Sequence, residues 1–169
     1  MSGIRAAAAV VALVCTLTNL SGAPEKKPID LAAIITRNDA SSALGEAVKD
    51  PQSRNDDGAD GSYSRCNYYS QNPGRSLVLR LRQALAGQLE PAKQLEELMA
   101  GNAKIKPLPG FGDKAALASE GARSGLSHLL MLYVVKGNAL VTVGIAGIDD
   151  EKVALEKAKI LARKILAKL

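Results

Sequence analysis

Alternation of apolar and polar positions is the strongest signal in the middle of the chain. From Ser76 to Gln83, Leu77, Leu79 and Leu81 alternate with Val78, Arg80 and Arg82, and Gly61 to Tyr69 carries Tyr63, Cys66, Tyr68 and Tyr69. A period of two sends successive side chains to opposite faces of a strand. The turn Asn72-Pro73-Gly74 between the two runs predicts a hairpin. Leu129 to Val135 is apolar at every position, which predicts a strand covered on both faces at the centre of the sheet. Gly137-Asn138 is a tight-turn signal that pairs this strand with Ala139 to Ile145. Shorter strands are expected within Ala103 to Leu108 and over Lys114 to Ser119.

Helical spacing occurs in three places. Thr36 is a candidate N-cap with Asp39 three residues on, followed by Ala40 to Leu44 and by Gly45 at the left-handed C-terminal position. Pro91 opens a helix through Ala100, with Gly101 as its stop. The last helix is capped by Asp149, has Asp150 and Glu151 at its positive end, and runs to the C-terminus. Ala154, Ala158, Leu161, Ala162, Ile165 and Leu169 form its apolar stripe, with Lys152, Lys157, Arg163, Lys164 and Lys168 over the rest. Val153 and Ile160, seven residues apart on that charged side, could mark a contact with a partner.

At the N-terminus the pattern changes character. Arg5 is followed by the uncharged run Ala6 to Leu17, and Ser21-Gly22-Ala23 supplies small residues for cleavage. This layout predicts a secretory signal peptide over residues 1–23, with Gly22 an alternative cut because Pro24 follows Ala23. The run is too short for the roughly 20 residues of a membrane-spanning helix. Cys15 is preceded by bulky Val14 where a lipid-attachment site wants a small residue, so a cleaved product is expected rather than a lipoprotein. The organisation is then a signal peptide over 1–23, a linker over 24–34 and a single α+β domain over 35–169, in a periplasmic or secreted protein.

Composition narrows the chemistry. Removing residues 1–23 takes away only Arg5, leaving 146 residues and a net charge of +4. That excess is too small and too dispersed to imply nucleic-acid binding. Cys66 is the only cysteine left, so no intrachain disulfide forms, and a disulfide through Cys66 would have to be intermolecular. His128, the sole histidine, stands at the start of an apolar strand and reads as structural. Asp50 to Gly61 is rich in Pro, Asn, Asp and Gly and reads as a solvated loop; Asp56, Asp57 and Asp60 lack the spacing of a calcium loop. Gly110-Phe111-Gly112-Asp113 lacks a third glycine for phosphate and reads as a tight loop. No catalytic, metal or cofactor site emerges; the alternative to a binding protein is a small exported enzyme with a carboxylate-based site, which a pocket gathering Asp113, His128 or Cys66 would favour.

One surface does stand out. Strand parity puts Arg65 with Tyr63 and Tyr69 on one face, and Arg80 with Arg82 on one face of the next strand. If the two faces coincide, the result is a basic, tyrosine-bearing patch for a small anionic ligand or an acidic protein partner. The basic last helix offers a second surface, toward anionic membranes; lysines that stabilise a solvated helix face are the simpler reading.

Four segments carry a resemblance: Ile35-Thr36 leading to Ala43-Leu44-Gly45, then Ser64-Arg65-Cys66-Asn67-Tyr68, then Leu108-Pro109-Gly110-Phe111-Gly112-Asp113-Lys114-Ala115, then Tyr133-Val134-Val135-Lys136-Gly137-Asn138. Together with the element order, they resemble small exported bacterial proteins of unknown function, many of them actinobacterial lipoproteins, with a PsbP-like α/β/α sandwich. The resemblance implies an antiparallel sheet packed by about three helices and an accessory or binding role. It supplies no catalytic residues. Those proteins commonly carry a cysteine before the first helix that could pair with the Cys66 equivalent, and Asp30 to Ile35 has none.

Overall fold

The computed structural model describes residues 28–122 and 127–169. The expected signal peptide and Cys15 lie outside the described residues. The elements are α1 (Leu31–Ile34), α2 (Arg37–Leu44), β1 (Gln52–Gly58), β2 (Gly61–Tyr69), β3 (Ser76–Ala84), α3 (Pro91–Gly101), β4 (Lys106–Pro107), β5 (Lys114–Glu120), β6 (Leu129–Lys136), β7 (Ala139–Ala146) and α4 (Glu151–Leu166). The strands form one seven-stranded sheet in the order β1-β2-β3-β7-β6-β5-β4, antiparallel throughout. The fold is therefore α+β.

Local chemistry accounts for the helix boundaries. Thr36 and Asp39 form a reciprocal capping box, and Gly45 closes α2 at φ 76°. For α4 the cap is Asp150, whose carboxylate accepts from the Val153 amide, one residue later than the expected Asp149. The helix ends at Leu166 rather than at the C-terminus, and Leu166 joins Ala154, Ala158, Leu161, Ala162 and Ile165 on the buried stripe. The segment expected to be a linker over 24–34 ends in α1: Leu31 and Ile35 are fully buried, and the Tyr68 hydroxyl donates to the Ile35 carbonyl.

The main core lies on one sheet face. Leu77, Leu79 and Leu81 of β3, Val141, Val143 and Ile145 of β7, and Leu130, Leu132 and Val134 of β6 meet α1, α2 and α4 there. Each fully buried Leu or Ile contributes about 1.5–3 kcal/mol relative to exposure. On the opposite face α3 covers one end only: Leu95 packs with Ile105, Ala116, Ala118, Val135 and Leu140.

Two expectations are corrected here. The centre of the sheet is β7, with three strands on each side and every residue but the last buried, not the Leu129 to Val135 strand. That strand, β6, alternates: Leu130, Leu132 and Val134 are buried, whereas Met131 and Tyr133 are only half-buried and Leu129 is exposed. Its second face is apolar but only partly roofed by α3. The expected acidic loop over 50–61 is instead largely strand β1, paired with β2 from Gln52↔Asn67 to Gly58↔Gly61. All seven β1 residues are exposed, so no apolar face was needed to build it. Backbone pairing with the long β2 supplies the strand, and its charges blunt the sheet edge.

Candidate functional site

The register resolves the parity question. Arg54↔Arg65, Arg65↔Arg80, Arg80↔Thr142 and Thr142↔Tyr133 are directly opposed across five consecutive strands. Directly opposed residues in an antiparallel sheet share a face. Arg54, Arg65 and Arg80 therefore stand side by side on the face that α3 leaves open. The neighbouring row runs Asp56, Tyr63, Arg82, Leu140, so the two predicted faces of β2 and β3 coincide. The rows line an open groove of about 610 Å³, walled at the α3 end by Gln94, Leu98, Met131 and Tyr133.

The arginines have different local environments. Arg82 is only 6% exposed. Its Nη1 donates to the Leu89 carbonyl at 2.8 Å and to Gln94 Oε1 at 3.0 Å, its Nη2 to Asp60 at 3.3 Å, and its Nε to the Tyr63 hydroxyl at 3.2 Å. The Tyr63 hydroxyl in turn donates to Asp60 at 2.5 Å. This bond, with help from Arg82, holds the Asp60 carboxyl below its ordinary range. Arg82 thus ties β3 to the start of α3 and has little left for a ligand. Arg54 is paired with Asp56 at 2.8 Å. Arg65 and Arg80 are exposed, and their guanidiniums have no hydrogen-bond or ion-pair partner among the described residues.

Tyr69 does not join this groove. It lies four residues along β2 from Arg65, about 13 Å at strand rise, and lines a separate depression with Arg75, Glu120 and Leu129. Arg54, Gln94, Leu98, Met131, Tyr133 and Thr142 are among the groove residues that the sequence did not place at this surface. Burial pushes the Tyr133 phenol above its ordinary pKa, with Arg80 pulling against it.

The remaining reactive groups lie apart from one another. Cys66 is fully buried on the core face, which pushes its thiol pKa up; an intermolecular disulfide would require that core to open. Asp113 accepts from the Gly137 amide at 2.7 Å and serves the β6–β7 turn. His128 is buried, 3.0 Å from Ser119 Oγ, while the Ser119 hydroxyl donates to Glu151 at 2.7 Å. With the serine proton directed at Glu151, the imidazole Nε2 donates to Ser119, and Nδ1 has no partner among the described residues. In a nucleophilic triad the carboxylate orients the histidine and the histidine takes the serine proton. The connectivity here is different and ties β5 to the first turn of α4. No group of three or more potential metal-ligating side chains occurs among the described residues.

The basic face of α4 is also engaged locally. Lys157 donates to the Ala43 carbonyl at 2.7 Å, Lys164 pairs with Asp39, Lys159 with Glu156, and Arg163 lies 5.3 Å from the Phe111 ring centroid. Val153 and Ile160 are exposed. Among the described residues no helix is long and apolar enough to cross a membrane.

Compared with protein-family models, curated proteins and solved structures, the chain matches none.

Proposed function

We propose that the chain is an exported, non-enzymatic accessory or binding protein of the cell envelope, and that its binding surface is the open sheet face bearing Arg65 and Arg80. The observation that carries this reading is the row of directly opposed arginines beside a half-roofed apolar wall. Like charges directly opposed across strands are destabilising. A fold that keeps two of them without counter-ions on a concave face is suited to an anion from outside. The separation of Cys66, Asp113 and His128 favours binding over catalysis, since a small exported enzyme would need such groups in one pocket. The anchoring of Lys157, Lys164 and Arg163 within the domain favours this face over the last helix as the contact surface. Export rests on the charge and hydropathy pattern of residues 1–23, and the PsbP-like sandwich remains part of the proposal.

The test is a two-dimensional NMR titration of the chain with phosphate esters, sulfate esters, dicarboxylates and acidic peptides. Shifts are expected at Arg65, Arg80, Thr142 and Tyr133 and not along α4. If no anion moves those resonances, or if the shifts gather on α4, the reading is wrong.

A further inference from the structure

Resting on the reading of this face as an anion site, we infer that its ligand is a small phosphomonoester carried on a short apolar body. Within the groove network, Arg54 is matched by Asp56 and Arg82 by Asp60, so Arg65 and Arg80 leave a local excess of two positive charges. A phosphomonoester near neutral pH carries a charge of about −1.5 to −2 and three acceptor oxygens. A carboxylate has two oxygens and one charge. Each guanidinium is a planar fork that takes two oxygens, so two forks converging on one group call for more acceptors than a carboxylate has.

Strand pairing sets the spacing of those forks. Directly opposed Cβ atoms lie about 4.5–5.5 Å apart, close enough for both side chains to reach one tetrahedral group. Two guanidiniums rooted on directly opposed positions repel each other. A bound dianion removes that repulsion.

The remainder of the groove describes the rest of the ligand. Thr142 follows Arg80 in the row with a hydroxyl, and Leu98, Met131 and Tyr133 form an apolar wall beyond it. A volume of about 610 Å³ falls within the roughly 300–1,000 Å³ of small-molecule sites. The arginine row runs across only three strands and ends at the exposed edge strand β1, which is too short a track for a polyanion. An acidic peptide would spread its charges along the groove instead of delivering two to one point.

The experiment is isothermal titration calorimetry of the chain with octyl phosphate, octyl sulfate, octanoate and inorganic phosphate. Octyl phosphate is expected to bind at least tenfold more tightly than each of the others. Arg65→Gln and Arg80→Gln should each weaken it at least tenfold, and Leu98→Ser should weaken octyl phosphate while leaving inorganic phosphate unchanged. Arg65 and Arg80 are exposed and repel each other, so both variants should keep the parent circular dichroism and melt no lower than the parent. Equal binding of octyl phosphate, octyl sulfate and octanoate, lost in both arginine variants, would overturn the phosphomonoester and leave an anion site. Binding of octyl phosphate that neither variant changes would overturn both readings, as would binding of no anion. Retention on phosphatidic-acid vesicles without binding of octyl phosphate would overturn the small-molecule ligand.

Discussion

Replacing Arg82 with Met should destabilise the fold far more than replacing Arg65, although both were expected on the same basic patch. Methionine keeps most of the buried stem and removes the guanidinium. The Leu89 carbonyl and Gln94 Oε1, bonded at 2.8 and 3.0 Å, then lose their donor. Each acceptor left without its partner costs about 1 kcal/mol or more. The bond to Asp60 adds little to this, because that carboxylate is 46% exposed. The sum is roughly 2–4 kcal/mol, which for a domain of this size lowers the melting temperature by about 5–15 °C. Urea unfolding at constant m-value measures it. Arg65→Met, at an exposed position where the guanidinium has no side-chain partner to lose and faces two like charges, should not lower stability. If Arg82→Met costs no more than Arg65→Met, the buried network does not hold α3 to the sheet, and the account of how the groove is walled is wrong.

Gly147→Ala should cost several times more than Gly137→Ala. Both glycines have positive φ, 85° and 54°, but a Cβ at 147 would lie 2.3 Å from the Gly74 carbonyl oxygen while one at 137 meets nothing within 4 Å. The left-handed conformation alone costs about 1–2 kcal/mol, so comparable melting temperatures for the two variants would contradict the packing described. Cys66, buried with its thiol pKa raised, should react with Ellman's reagent only as fast as the domain opens; immediate reaction in native buffer would place it at the surface. Burial pushes the Asp39 carboxyl up, but Lys164 and the Thr36 amide and hydroxyl outweigh it and hold the pKa below the ordinary 3.8. A depressed folded-state value gives stability that is present above the ordinary pKa and lost as pH falls through the folded one. The stability gap between the parent and Lys164→Met, read from urea midpoints, should therefore be open at pH 7 and narrow as pH falls below the ordinary carboxylate value of 3.8; a gap independent of pH would refute the pairing.

Legibility followed local chemistry. The capping box at Thr36 and Asp39, the Pro91 start of α3 and the hairpins about Asn72-Pro73-Gly74 and Gly137-Asn138 were all readable, because each is decided by residues near in sequence. Strand β1 was not readable, since a run such as Ser53-Arg54-Asn55-Asp56 has no apolar face and becomes a strand only through backbone pairing with β2. The same limit applies to the site. Parity predicted which side Arg65, Arg80 and Arg82 occupy, but register brought in Arg54, and tertiary packing decided that Arg82 is buried and that Tyr133 is not fully covered. The Asp150 cap displaced Asp149 because the side chain one residue later is the one that meets the Val153 amide. Leu129 to Val135 looked doubly covered since apolar residues on both faces do not say how far a helix on one face extends.

The most direct test of the binding claim is a double-mutant cycle between Arg65 and Arg80, with octyl phosphate as the probe. Two guanidiniums that grip one anionic group depend on each other, so the second substitution to Gln should cost clearly less affinity once the first is made, with a coupling of 0.5 kcal/mol or more, the size typical of residues sharing one interaction network. Losses that simply add would mean that the two arginines act on separate groups, and no loss in either variant would mean that this face is not the binding surface.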